Sequence, residues 1–182
     1  MKITGNIKLS LFLTFFAFPY LIAFTQGQSG FHYFTNAIDI SHTHTGEWHK
    51  VDVSSYIPSG ATGILLELVN EGDESTASRH TVRKNGSSDN HQEKIRITDH
   101  GHRYAICGVD EEGLFESFTE TSSCKIYLMG YVDGSATFFT NRVDKSPTQL
   151  NTWETIDVSD IVPPGTAGIV IEAYSENNNC RV

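Results

Sequence analysis

"WHKVDVSSYIPSGATGILLELVN", Trp48 to Asn70, is written a second time as "WETIDVSDIVPPGTAGIVIEAYS", Trp153 to Ser175. The offset that carries Trp48 to Trp153, 105 residues, also aligns the flanking chain without a gap. Phe34, Thr35 and Asn36 fall on Phe139, Thr140 and Asn141, Asp39 on Asp144, Asp52 on Asp157, Pro58 on Pro163, Gly60 on Gly165 and Glu67 on Glu172. One register held over so many positions marks a duplicated unit, and a period this long is a domain rather than a solenoid turn. The division this predicts is a complete module over 28–135, followed from 136 to 182 by an incomplete second copy.

Within the complete module the pattern is β throughout. Strands are expected at "FHYFTNAIDI", "WHKVDVS", "TGILLELVN", "SRHTVRKN", "EKIRITD", "HRYAICGV", "LFESFTE" and "CKIYLMGYV", each short and bounded by Gly, Asn, Asp or Ser. About eight short strands in a module of this length fit an all-β, two-sheet antiparallel sandwich, jelly-roll-like or immunoglobulin-like, with the jelly roll preferred. "PSGA" and "PPGT" each place glycine third, at the second central position of a type II turn, where positive φ is required. The strand that follows, "ILLELV" or "IVIEAY", is apolar on both faces, as an inner strand is. Only Glu67 and Glu172 interrupt it.

The N-terminus carries Lys2 and Lys8, then an apolar run from Leu9 to Phe24 broken by Pro19, then small and polar residues. That layout predicts a signal peptide over 1–27 and a secreted or cell-surface protein. Its removal takes two lysines and no acid, lowering the formal net charge from −9 to −11. Such a chain repels phosphate backbones and anionic lipid, which argues against nucleic acid and membrane partners after cleavage.

Strict alternation places Trp48 opposite Val51 and Val53, on the outer face with Lys50 and Asp52, and Trp153 likewise. An outward tryptophan is a flat platform for a sugar ring; a bulge just after it would return it to the core, where large aromatics usually pack. Glu67 and Glu172, among aliphatics, require partners; Arg83 is the expected partner of Glu67, with ligand binding as the alternative.

All eight histidines lie in the first module, and the second copy has Pro147, Gln149 and Glu154 where the first has His42, His44 and His49. The i, i+2 spacing of His42 and His44, and of His100 and His102, suits a metal, but solvated loop histidines are the expectation and no metal site or cofactor is assigned. The acidic runs "NEGDEST" and "GVDEEG" lack the alternating ligands of a calcium loop. Cys107 and Cys124 are a disulfide candidate, Cys180 an intermolecular thiol, and Asn85 of "NGS" either a glycan acceptor or a turn residue.

No nucleophile elbow, phosphate-binding glycine loop or HExxH motif is present, so an enzyme is not expected. The expected function is a non-catalytic extracellular binding module. Its ligand is a glycan or an extracellular protein, met by Trp48, Trp153 and Glu67. The alternative is a structural subunit of a tandem-repeat filament, matrix or adhesin, self-associating through the incomplete repeat.

Overall fold

The computed structural model describes residues 30–72, 77–90, 96–98, 100–149 and 151–172. The expected signal peptide and Cys180 lie outside the described residues. Eight strands follow in order: β1 (Phe31–Asp39), β2 (Trp48–Asp52), β3 (Gly63–Asn70), β4 (Ser78–Lys84), β5 (Arg96–Ile97), β6 (His102–Gly108), β7 (Leu114–Thr119) and β8 (Cys124–Val132). Each falls inside a segment expected to be a strand. They form two four-stranded antiparallel sheets packed as a sandwich, the first ordered β1-β8-β3-β6 and the second β2-β7-β4-β5.

The burial pattern follows from the two-residue period of a strand. Along β8, Cys124, Ile126, Leu128, Gly130 and Val132 are buried and the residues between them are not. β3 lies between β8 and β6, and its residues are buried on both faces except Glu67, so its unbroken aliphatic run is explained by position. Phe115, Ile64, Leu66, Ile126 and Leu128 meet between the sheets, all at 1% exposure or less.

Repeated residues make repeated turns. Gly60 has φ 89° and Gly165 φ 86°. The amide of Ala61 donates to the Pro58 carbonyl at 3.1 Å, and that of Thr166 to the Pro163 carbonyl at 3.2 Å. Asp52 accepts from the Ser54 amide and Asp157 from the Ser159 amide, both at 2.9 Å; Asp39 and Asp144 do the same for Ser41 and Ser146.

The strands are not repeated. Among the described residues, 136–172 contain no strand and form no second sandwich, so the expected partial module of three strands is corrected. Trp48 is half-buried against neighbours while Trp153 is fully exposed. The topology supplies the reason. In the sandwich β1 pairs with β8, β2 with β7, and β3 with β6 and β8. None of the first three strands pairs with another of them, so counterparts of β1, β2 and β3 alone have no ladder partner. Turns close through contacts two or three residues apart and survive that loss; ladders do not.

The start of the second copy is nevertheless tied to the first module. Phe138 lies over Gly63 and Gly108, where a Cβ would meet its side chain at 2.5 Å, and its carbonyl accepts from Lys84 Nζ at 3.1 Å. Asn141 Oδ1 accepts from the Ser88 amide at 2.8 Å, and the Arg142 amide donates to Asp89 at 2.8 Å. Beyond this anchor Trp153 stands clear of the protein, so limited chymotrypsin digestion should cut after Trp153 first and leave the sandwich intact. Cleavage within β1–β8 at a comparable rate, followed by mass spectrometry, would contradict this.

Candidate functional site

The outer face of the first sheet collects aromatic and acidic side chains that the alternation of β3, β6 and β8 turns away from the core. Glu67 is level with Tyr104 on β6 and with Tyr127 on β8. Its carboxylate lies 2.8 Å from His102 Nδ1, which donates to it. The attraction of that carboxylate for the hydroxyl proton, and then its charge, push the Tyr104 hydroxyl above its ordinary pKa. One strand over, the Tyr127 hydroxyl donates to Glu71 Oε1 at 2.9 Å, which raises its pKa in the same way. Tyr104 is 70% exposed and Ile106, two residues along the same face, 40%. The result is an open aromatic plate beside two carboxylates whose hydrogen-bonded contacts fix their orientation. The expected Glu67–Arg83 pair is corrected: Arg83 is on β4 of the other sheet, where its Nε meets Glu116 Oε2 at 2.5 Å.

The outer face of the second sheet holds Trp48. β2 pairs with β7 in unbroken register from Trp48 opposite Phe118 to Asp52 opposite Leu114, so no bulge turns the tryptophan inward. It points outward, as alternation requires, yet it is not a bare platform. The Arg83 guanidinium sits 3.9 Å from its ring centre and the Phe118 ring 5.9 Å away at a tilt, a cation–π and aromatic cluster that covers one face. Arg79 joins it, 5.5 Å from the Phe118 ring and bound to Glu120.

The three residues expected to meet a ligand are therefore not brought together. Trp48 and Glu67 lie on opposite sheets and Trp153 lies off both. Glu172 binds the Arg142 guanidinium. Tyr104 and Tyr127 went unnoticed in the sequence, although "HRYAI" and "KIYLM" alternate in the phase that turns them outward with Glu67.

The expected Cys107–Cys124 disulfide is also corrected. Cys107 and Cys124 are both free and buried. Against β3, Cys107 is level with Ile64 and Cys124 with Asn70; six strand residues separate those levels by about 20 Å, whereas a bridge needs Cα atoms within about 7 Å. Burial pushes the Cys107 thiol up to about 12. Asn85 serves its turn: Gly86 has φ 78°, and the Asn85 amide nitrogen, where a glycan would attach, donates to Asp110. Asp110 in turn accepts the Glu112 and Leu114 amides, at 3.1 and 2.8 Å, closing the β6–β7 turn. His80, on β4, is fully buried.

No family model, curated protein or solved structure matches this chain.

Proposed function

We propose that the chain is a secreted, non-catalytic binding module of the jelly-roll type whose ligand is a glycan, held on the outer face of the first sheet. The strand order β1-β8-β3-β6 against β2-β7-β4-β5 supports the jelly-roll reading, in which eight strands wind as two Greek keys. The observation that carries the ligand is Tyr104: an aromatic ring 70% exposed, level with the Glu67 carboxylate on the neighbouring strand. A sugar presents an apolar C–H face and a rim of hydroxyl donors. An open aromatic plate flanked by oriented acceptors complements both. Glu67 acts here as an acceptor held in place by His102.

Binding to an array of extracellular glycans tests the reading. Tyr104→Ala should weaken binding by about tenfold or more, the loss of roughly 1.4 kcal/mol from one aromatic anchor. Glu67→Gln should weaken it less, and Trp48→Ala, on the other sheet, should leave it unchanged. Retention of binding by Tyr104→Ala, or its loss in Trp48→Ala alone, would move the site to the second sheet.

A second reading, a structural unit of a tandem-repeat extracellular filament, matrix or adhesin, draws on the exposed apolar residues of the second copy. Ile169, Val170 and Ile171 are 51%, 66% and 73% exposed. Their counterparts Ile64, Leu65 and Leu66 are buried in β3. Sedimentation of the full chain discriminates: concentration-dependent assembly supports it, and a monomer throughout the micromolar range does not.

A further inference from the structure

Four histidines gather where the β1–β2 connection crosses the end of the second sheet. The Gly46 amide donates to the Thr119 carbonyl and the Thr119 hydroxyl to the His44 carbonyl, both at 2.8 Å, so the connection is fastened to β7. This sets the His42 ring centre 4.6 Å from that of His49 and 5.9 Å from that of His44, and stacks His44 on His49 at 3.8 Å. His80, on β4, is fully buried and level with Thr119, whose hydroxyl holds the His44 carbonyl.

Three features distinguish the cluster from ordinary packing. First, among the described residues, His42 Nδ1 and both ring nitrogens of His80 are buried with no hydrogen-bond partner. Native proteins rarely leave such atoms unpaired, and a bound ion is one reason to do so. Second, His42 Nε2 lies 3.0 Å from Ser117 Oγ. A metal-binding imidazole characteristically gives its far N–H to an oxygen in this way, which fixes the tautomer and leaves the other nitrogen's lone pair free. Third, the second copy keeps the turns of this region but has Pro147, Gln149 and Glu154 in place of His42 and His44 of the connection and His49 of β2. The shared pattern of turns does not call for imidazoles.

We propose that His42, through Nδ1, with His44 and His49, forms a site for a divalent transition-metal ion of the zinc or copper type, and that His80 forms its floor. Imidazole suits these ions over calcium or magnesium, and the charge of Glu47 beside His49 offsets part of the ion's own. As the side chains stand, no three His, Cys, Asp or Glu among the described residues are placed to hold an ion, because the His44–His49 stack turns those rings face to face. With a metal–nitrogen bond of about 2 Å, two tetrahedral imidazole ligands have ring centres about 5 Å apart. The His42 spacings bracket that value and the stacked pair falls short of it. His44 is exposed, so opening the stack requires a surface ring to turn and leaves the core in place.

Tag-free protein, treated with EDTA and dialysed, should bind one Zn²⁺ per chain by titration calorimetry and melt at a higher temperature with the ion present. Loading with Cu²⁺ should give an electron paramagnetic resonance spectrum with imidazole nitrogen couplings. His44→Ala and His49→Ala should each weaken binding at least tenfold and the double variant abolish it, while Ser117→Ala weakens it about tenfold through the His42 tautomer. His44 and His49 are varied because they are the proposed ligands, whereas His80 only floors the site; circular dichroism verifies that each variant retains the fold. His32→Ala and His100→Ala should bind as the parent does. Absence of binding up to millimolar Zn²⁺, binding that persists in the His44/His49 double variant, or binding lost in His100→Ala would overturn the proposal.

Discussion

Acidified below pH 6.5 in the presence of EDTA, the protein should lose stability steeply, and His80→Leu should remove the largest single share of that loss. In the unfolded chain these histidines take up protons near pH 6.5. In the fold, burial and the neighbouring His42 hold His80 neutral down to about 3. Between those values the unfolded state binds the extra proton, so stability rises with pH: it is present in full above 6.5 and drains away as the pH falls toward 3. One such proton is worth about 1.4 kcal/mol per pH unit. His42 and His49 are lowered as well, first by burial and then by neighbouring imidazoles, so they add to the slope in the same direction. The hydrogen-bonded carboxylates Asp39, Asp52 and Glu120, also held low, act with the same sign but at more acid pH. Urea unfolding at pH 7.5, 6.5 and 5.5 isolates the histidines. The leucine variant should show a slope shallower by nearly one proton, and at pH 7.5 a stability equal to the parent or higher by about 1–3 kcal/mol, because two unpaired buried nitrogens are gone. Equal slopes would place the acid sensitivity elsewhere.

A chain in which residues 136–175 replace 31–70, joined to 71–135, should fold as a sandwich. The counterparts supply Ile156 for Val51, Val158 for Val53, Ile169 for Ile64 and Ile171 for Leu66, all apolar and of similar volume. The same residues that make no strand at 136–172 would then meet β6, β7 and β8. Two substitutions are damaging: Lys145 stands where half-buried Ile40 packs against the core, and, more severely, Ala173 stands where Leu68 is 1% exposed, a loss of about 2–5 kcal/mol. The chimera should unfold cooperatively but early, and restoring leucine at that position should recover most of the deficit. A chimera that gives no cooperative transition even with the leucine restored would show that the two copies share turns and nothing more.

What the sequence disclosed and what it hid divide along physical lines. Strand positions were legible because burial on one side imposes a period of two, as in "CKIYLMGYV", and because Gly, Asn, Asp and Ser punctuate the ends. The phase also offered the outward aim of Trp48, but the expectation leaned to a bulge that returns it to the core, which the unbroken β2–β7 register corrects. The cover of Trp48 was not legible, because Arg83 is 35 residues away and reaches it across β7. Partners across a sandwich depend on which sheet each strand joins, so Glu67 was matched with an arginine of the wrong sheet while His102 and Tyr104 lay beside it. The cysteines failed for a related reason: strand membership was readable, but height along the strand was not. His80, alone between Arg79 and Thr81, carried no spacing signal, although alternation turns it into the interior beside the loop histidines.

The arrangement of β1 beside β8 has a consequence for biosynthesis. Phe31 pairs with Val132, so nearly the whole module must emerge from the ribosome before its opening strand finds a neighbour. Such distant pairings slow folding, because chain entropy is lost before contacts reward it. Until then the nascent chain holds "ILLELV" uncovered, which makes translation of the module a period of dependence on chaperones.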